Sequence, residues 1–190
     1  MASRKGSGLM LWRTVLLALC AAGIIHIVMV LNAPNTSNRG AFQRLATAYA
    51  VNIMHVLPPI TAQNQPLPFM MPGVRYAICL FDMTRTPVDV AAILPDETWT
   101  LALYSASGDN FYVQPGQANR EADIGFTLVP PQPDLFGLFK RSVPNSTDSR
   151  KINVPARKGL VIIRAPIRGP AYANETALTL ERAICRAQPQ

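Results

Sequence analysis

The stretch WTLALYSASGDNFYVQPGQ, from Trp99 to Gln117, has the pattern of a β-hairpin. Apolar and aromatic residues flank a Ser-Ala-Ser-Gly-Asp-Asn segment, and neighbouring side chains of an extended strand point to opposite faces. Gly, Asp and Asn supply the positive φ angles that a tight turn requires. Since the turn holds one carboxylate and no His, Cys or Lys, the pattern predicts a hairpin and displays no catalytic chemistry.

The chain on both sides of the hairpin continues this pattern. From Val74 onward, short apolar runs are separated by Pro, Gly, Asp and Asn, which is typical of strands joined by turns. The predicted strands are VRYAICLFD, PVDVAAIL, WTLALYS, NFYVQ, ADIGFTLVP, KINV and GLVIIRAPI. We therefore expect a mainly β fold with an antiparallel, sandwich-like domain over 74–190. It is expected to end in a C-terminal helix, Ala173–Arg186, with Asn174 as its N-cap. The insertion between Pro130 and Pro155 has room for one short helix.

An apolar stretch near the N-terminus, Leu9–Leu31, reads LMLWRTVLLALCAAGIIHIVMVL. A membrane-spanning helix needs about 20 such residues, and Arg13 lies near one end, where its side chain can reach the interface. A cleaved signal peptide is the alternative, but its apolar region is usually about 7–15 residues long. We therefore expect an uncleaved transmembrane anchor over 9–31 that follows a cytoplasmic tail over 1–8.

Basic residues near the ends of the anchor predict its orientation. Arg4, Lys5 and Arg13 lie before it or at its start, whereas Arg39 and Arg44 follow it. Positively charged flanks tend to stay in the cytoplasm. The N-terminus is therefore expected in the cytoplasm and the rest of the chain on the other side of the bilayer.

Residues 32–73 are predicted to form a linker between the anchor and the β domain. Apolar residues spaced by three and four within Ala41–Val56 indicate an amphipathic helix. Leu57–Gly73 holds five prolines, which predicts an irregular segment. Because PFMMPG at its end is apolar, we expect part of this segment to pack against the domain.

Three cysteines have different surroundings in the sequence. Cys20 lies in the anchor and is expected to act as a small apolar residue. Cys79 lies in a predicted strand and Cys185 in the predicted terminal helix. These two form either a disulfide or a pair of buried free thiols, since the sequence does not supply their distance. A disulfide that closes so long a loop would stabilise the fold by about 4–5 kcal/mol.

The sequence lacks the common catalytic motifs, including the Walker loop, G-x-S-x-G and H-E-x-x-H. His55 is the one histidine outside the anchor, and a Ser–His–Asp triad would need it to reach back to the sheet. Two separated cysteines and one histidine are too few for a structural zinc site. Asp96 and Glu97 are adjacent, so their side chains point apart and do not form an acid/base pair. We expect no catalytic residues, no metal site and no cofactor.

A run of basic residues with one acid among them follows the hairpin. Its members are Lys140, Arg141, Arg150, Lys151, Arg157, Lys158, Arg164 and Arg168, with Asp148 as the acid. A solvated basic surface is the plainer interpretation. Contact with anionic lipid headgroups or with another envelope protein is the functional one. Nucleic acid is disfavoured because the run lacks interleaved aromatic residues and because the domain is expected to be exported.

Several short motifs resemble the DUF1254 domain. The hairpin pattern W-[ST]-hydrophobic-x-hydrophobic-Y, with Gly and Asn before an aromatic residue, is the first of them. The others are Cys79-Leu80-Phe81-Asp82, Gly159-Leu160-Val161-Ile162-Ile163-Arg164 and Ile184-Cys185-Arg186. Together they are similar to the short, single-domain, membrane-anchored form found in alphaproteobacteria, whereas the basic, Pro-rich insertion departs from it. The resemblance implies a β-rich fold and a place in the cell envelope, and it implies no activity.

These observations lead us to expect a single-pass protein of the bacterial inner membrane whose C-terminal domain is periplasmic. It would act as a non-enzymatic envelope or interaction module bound to the bilayer through 9–31. One alternative is an effector delivered to a host endoplasmic reticulum or secretory membrane. Of the sequons at Asn35, Asn145 and Asn174, Asn145 would then report glycosylation, since Asn35 is close to the bilayer and Asn174 is at a helix start. A cryptic hydrolase that uses His55 is the other alternative.

Overall fold

The structure is a computed structural model of the 190-residue chain, and it describes residues 5–36, 40–131 and 151–189. The chain divides into two compact units, Met1–Asn38 and Arg39–Gln190. The first unit contains helix α1, Lys5–Thr36. Within α1, Leu11–Asn32 is long and apolar enough to cross a membrane, by length and composition. This stretch agrees closely with the predicted anchor, and Cys20 is an exposed free thiol on it.

The second unit is built mainly from short strands. Helix α2 spans Ala41–Ala46, and helix α3 spans Ala173–Glu181 after a 3₁₀ turn at Pro170–Tyr172. The strands are β1 Met54–Val56, β2 Val74–Asp82, β3 Val88–Leu94, β4 Thr100–Ser105, β5 Asn110–Pro115, β6 Ala122–Val129, β7 Lys151–Asn153, β8 Lys158–Pro166 and β9 Ile184–Ala187.

The strands form two sheets. The first sheet has the order β1-β2-β8-β4-β5, and the second has the order β7-β6-β3-β9. Every neighbouring pair is antiparallel except β6 and β7, which run parallel. The predicted mainly β, sandwich-like fold is confirmed, with the difference that the second sheet is mixed.

The main core lies between the two sheets and follows from strand alternation. Alternate residues of β2 point inward, and Ala77, Cys79 and Phe81 are all buried there. They meet the inward residues of the second sheet, including Val90 of β3 and Leu128 of β6. The two sheets therefore bury one apolar face each against the other.

The outer face of the first sheet is also apolar and is covered by the chain that precedes β2. Tyr76, Ile78 and Leu80 point to this side and are buried in a second core cluster. Phe42 and Leu45 of α2 pack on them, together with Leu57 and Ile60 from the Pro-rich segment. We call Gly40–Ile53 and Leu57–Gly73, on either side of β1, the cover layer.

Two predicted helices are present but end earlier than expected, because strand pairing takes part of each segment. The helix predicted over Ala41–Val56 ends at Ala46. Asn52 then adopts a left-handed φ of 58°, and Met54–Val56 forms β1 on the edge of β2. Residues 40–73 therefore belong to the second compact unit rather than to a separate linker.

The predicted terminal helix Ala173–Arg186 is likewise too long. Helix α3 ends at Glu181, and Ile184–Ala187 forms β9, which pairs with β3. Asn174 lies inside the helix, and Tyr172 occupies the N-cap position without a side-chain hydrogen bond. The short helix proposed for the Pro130–Pro155 insertion lies mostly outside the described residues.

Of the two alternatives for Cys79 and Cys185, a disulfide or two free thiols, the structure has the disulfide. Cys79 of β2 and Cys185 of β9 form a disulfide with a Cα–Cα distance of 6.4 Å across a sequence separation of 106 residues. Both side chains are buried between the sheets. The bond therefore links the first sheet to the edge strand of the second.

The disulfide yields a stability prediction. Replacing both partners, Cys79→Ala with Cys185→Ala, should lower the free energy of unfolding by about 4–5 kcal/mol, because the unfolded chain regains the entropy of a long loop. Urea unfolding of the full chain in detergent micelles measures this loss, and Cys20→Ala is the matched control. Reductant should destabilise the natural chain and leave the double variant unchanged. An unchanged natural chain in reductant would contradict the prediction.

Gly159 yields a second prediction from close packing. A Cβ at Gly159 would overlap the Tyr104 carbonyl oxygen and the Phe81 ring, whereas a Cβ at Gly125 would meet nothing within 4 Å. Gly159→Ala should therefore destabilise the domain by about 3 kcal/mol, and Gly125→Ala should change its stability by less than about 1 kcal/mol. Thermal unfolding of the two variants checks the contrast. Equal midpoints would show that the strands at Gly159 can separate without cost.

Candidate functional site

His55 lies on β1, at the edge of the first sheet. Its Nε2 is 3.1 Å from the Ala50 carbonyl oxygen, and its ring centroid is 5.3 Å from that of Tyr49. A groove of about 350 Å³ opens beside it and is also lined by Glu181 of α3. No serine or aspartate within the described ranges is hydrogen-bonded to the ring, so this geometry is not the Ser–His–Asp arrangement of a hydrolase.

The tip of the β4–β5 hairpin holds a cluster of small polar side chains. Ser105 Oγ and Ser107 Oγ are 2.7 Å apart, and the Ser107 hydroxyl donates to Asp109 Oδ2 at 2.7 Å. The Asp109 amide donates to Ser105 Oγ at 3.1 Å, and Gly108 has a φ of 99° that closes the turn. These groups satisfy one another, so the hairpin prediction is confirmed and the cluster has a structural role.

Metal binding has no support in the part of the chain that the structure describes. Within those residues, no group of three His, Cys, Asp or Glu side chains is placed to hold a metal ion. Of the adjacent residues Asp96 and Glu97, Asp96 stabilises the local turn, since its Oδ1 accepts a hydrogen bond from the Thr98 amide at 2.8 Å.

The described members of the basic run are spread over both sheets. Lys140, Arg141 and Arg150 lie outside the described residues. Lys151 is on β7 of the second sheet, whereas Lys158 and Arg164 lie near opposite ends of β8 in the first. Arg157 precedes β8, and its carbonyl oxygen accepts a hydrogen bond from the Met83 amide.

Two members of the run are paired with acids. Lys158 Nζ lies 3.0 Å from Asp82 Oδ2, and Arg168 Nη2 lies 2.8 Å from Asp96 Oδ2. Arg164 remains exposed, and its Nη2 is 3.5 Å from the Tyr104 hydroxyl. The charges that remain available to an anionic ligand are therefore fewer than the linear run indicates.

Among the described residues, an exposed apolar loop stands out that no sequence motif marks as a site. Phe69 is 97% exposed and Met71 is 63% exposed, while Leu67 and Met70 pack partly onto the outer core cluster. The Tyr76 hydroxyl accepts a hydrogen bond from the Met71 amide at 3.1 Å. PFMMPG therefore packs down in part, as expected, and holds Phe69 in solvent.

The backbone at Phe69 is strained. Its φ of 64° lies in the left-handed region, which is a genuine outlier for a bulky side chain. An apolar cavity of about 140 Å³ lies between this loop and α2, lined among others by Leu45, Ile162 and Arg164. The arrangement presents an exposed aromatic ring on a loop that is partly packed against the domain, which suits a contact surface rather than catalysis.

Comparison with known proteins identifies the family. The family model described as "Protein of unknown function (DUF1254)" matches residues 51–184. The chain belongs to the DUF1254 family. The matched DUF1254 region runs from just before β1 to the first residue of β9, so it coincides with the sandwich. Helix α1 and helix α2 lie before it.

A solved structure is similar to this DUF1254 chain. The crystal structure of the VPA0106 protein from Vibrio parahaemolyticus matches with a TM-score of 0.52 at 14% identity, over 77% of this chain and 34% of that one. The chain thus spans about a third of the length of that protein, and the likeness shows the fold alone. A comparison with curated proteins gave no match.

Asp82 is the described carboxylate whose surroundings favour its charged form most clearly. Partial burial raises its pKa, but hydrogen bonds from Thr84 and the ammonium of Lys158 outweigh burial and hold the pKa below its ordinary value. The Thr84 amide donates to Asp82 Oδ1 at 2.9 Å. Asn52 also hydrogen-bonds the Asp82 backbone, at 2.8 Å and 3.0 Å.

This arrangement predicts a pH dependence of stability. Because the folded-state pKa of Asp82 is depressed, its stabilisation is present above the unfolded-state pKa and is lost as the pH falls below about 4. Asp82→Asn should lower the free energy of unfolding by about 1 kcal/mol at neutral pH. The variant should then lose less further stability than the natural chain as the pH falls. Urea unfolding across pH checks this, with Asp123→Asn at an exposed position of β6 as the control. An equal acid dependence in Asp82→Asn and the natural chain would contradict it.

Proposed function

We propose that this chain is a single-pass protein of the bacterial inner membrane that displays its DUF1254 sandwich in the periplasm as a non-catalytic interaction module. Its contacts would be anionic lipid headgroups or another envelope protein. The observation that carries the proposal is the buried Cys79–Cys185 disulfide between the two sheets. Disulfides of this kind persist in oxidising compartments such as the periplasm and are rare in the cytosol.

The apolar helix supports the membrane part of this proposal. Leu11–Asn32 has the length and composition of a span, and it precedes both cysteines of the disulfide in the chain. Arg4, Lys5 and Arg13 lie before the span or near its start, which favours a cytoplasmic N-terminus. An exported sandwich would then meet the oxidising conditions that its disulfide needs.

The polar groups of the described residues support a binding role over a catalytic one. His55 is engaged with a backbone carbonyl, and the hairpin-tip serines are engaged with Asp109. Phe69 and Met71, by contrast, are apolar and directed to solvent. Exposed apolar side chains close together on one loop suit an interaction site.

Thiol labelling in cells tests the orientation. In a Cys20→Ser background, Leu178→Cys places a thiol on an exposed position of α3, and Ser3→Cys places one before the span. A membrane-impermeant maleimide should label the Leu178→Cys variant in intact spheroplasts and the Ser3→Cys variant only after lysis. Labelling of Ser3→Cys in intact spheroplasts, with protection of Leu178→Cys, would overturn the proposed orientation. The native cysteines should react only after reduction, and reaction without reductant would remove the support from the disulfide.

A further inference from the structure

The acidic residues of this chain are confined to its later part. Residues 1–81 hold six basic and no acidic residues, whereas residues 82–190 hold twelve basic and eleven acidic residues. The span and the whole cover layer therefore lack negative charge. Residues 1–81 therefore carry a net charge of +6 and residues 82–190 carry +1, because other acids of the later part offset the basic run there.

The cover layer also exposes apolar side chains. Val51, Ile53, Phe69 and Met71 are all exposed, and Arg44 is the one lysine or arginine within the layer. Leu178 of α3 is also an exposed apolar residue, but acidic residues share its face of the helix. Leu178 of α3 lies between Glu175 and Glu181 at a spacing of three, which places all three on one face of the helix.

Phe69 and α2 belong to one continuous surface. Leu45 of α2 and Phe69 line the same cavity, with Arg164 among its walls. The left-handed φ of Phe69 costs conformational energy that glycine would avoid. A bulky side chain that is both exposed and held at a strained φ suits a contact outside the folded unit.

We propose that the cover layer is a bilayer-contacting surface, with Phe69 and Met71 inserted among the lipid headgroups. This inference rests on the proposed single-pass anchoring. Aromatic and apolar side chains are favoured at the membrane interface, and an acid-free surface avoids repulsion from anionic lipids.

Two features of the chain favour the bilayer over a protein partner: a short connection to the candidate span and the absence of acidic residues before Asp82. Residues 33–39 alone separate the candidate span from the cover layer, and a stretch of that length extends to at most about 25 Å. A protein partner would need only a local apolar patch, and it gives no reason for the absence of acids from every residue before Asp82.

Fluorescence quenching by brominated lipids tests the contact in the full chain reconstituted into vesicles. Phe69→Trp and the matched control Leu178→Trp are each made in a Trp12→Phe background, where Trp99 remains as the buried native tryptophan. Phe69→Trp should show blue-shifted emission and lose intensity in brominated phosphatidylcholine. Leu178→Trp should show neither change. Equal quenching of the two variants would overturn the proposal.

Two controls separate the possible failures. Native Trp12 lies in the span, so quenching of Trp12 in the natural chain reports anchoring alone. Quenching of Trp12 without quenching of Phe69→Trp would leave the anchor in place and refute the bilayer surface. A benzophenone amino acid at position 69 that crosslinks in cells to a protein rather than to lipid would also refute it, in favour of a protein partner.

Charge and fold variants complete the test. Gln43→Glu with Gln65→Glu adds acids at exposed positions of the cover layer. In the Phe69→Trp background, this pair should reduce the quenching by brominated lipid in vesicles that contain phosphatidylglycerol. It should leave the quenching unchanged in vesicles of phosphatidylcholine alone. Phe69→Gly should raise the thermal unfolding midpoint in detergent, because it relieves backbone strain without removing a packed side chain. A lower midpoint would assign the ring to the core and overturn the proposal.

Discussion

Strand β2 is apolar on both faces, and the rest of the domain is arranged to cover those two faces. Its inward residues, among them Cys79 and Phe81, pack against the second sheet, while Ile78 and Leu80 on its other side are equally buried. A half-buried antiparallel strand would alternate apolar and polar residues. Because β2 does not, the first sheet needs a layer on each side, and the chain before β2 supplies the outer one. The segment 40–73 therefore cannot act as a free linker.

The sequence predicted most of the strands because their signals are local. VRYAICLFD and the hairpin around Ser105–Asp109 are bounded by turn residues, and the structure has strands at those places. The two helix errors arise where a long-range pairing overrides the local pattern. Met54–Val56 pairs with β2, and Ile184–Ala187 pairs with β3. Neither pairing can be inferred from the spacing of apolar residues within the segment itself.

The candidate site was less predictable than the fold, because charge along the chain is not charge on a surface. Strand β8 carries Lys158 at its start and Arg164 near its end, about 20 Å apart at the rise of a strand. Lys158 and Arg168 also meet acids, Asp82 and Asp96, that are distant in sequence. The sequence shows the basic run but not its partners. It also shows that PFMMPG is apolar, but only the three-dimensional structure shows which of its side chains is left exposed.

The cover layer has two sides, and they pose different physical problems. Its inner side must match an apolar sheet face, and Phe42, Leu45, Leu57 and Ile60 do so. Its outer side needs only solvation if it faces water, and charged residues would supply that at little cost to packing. The layer instead carries prolines, Met71, a strained Phe69 and uncharged polar residues there, with Arg44 as its one charged residue. Packing accounts for the apolar inner side but not for the missing acids of the outer side. A surface without acids that exposes Phe69 and Met71 and follows an apolar span in the same chain is better explained by a lipid environment, in which exposed apolar side chains are stabilising and acids are not.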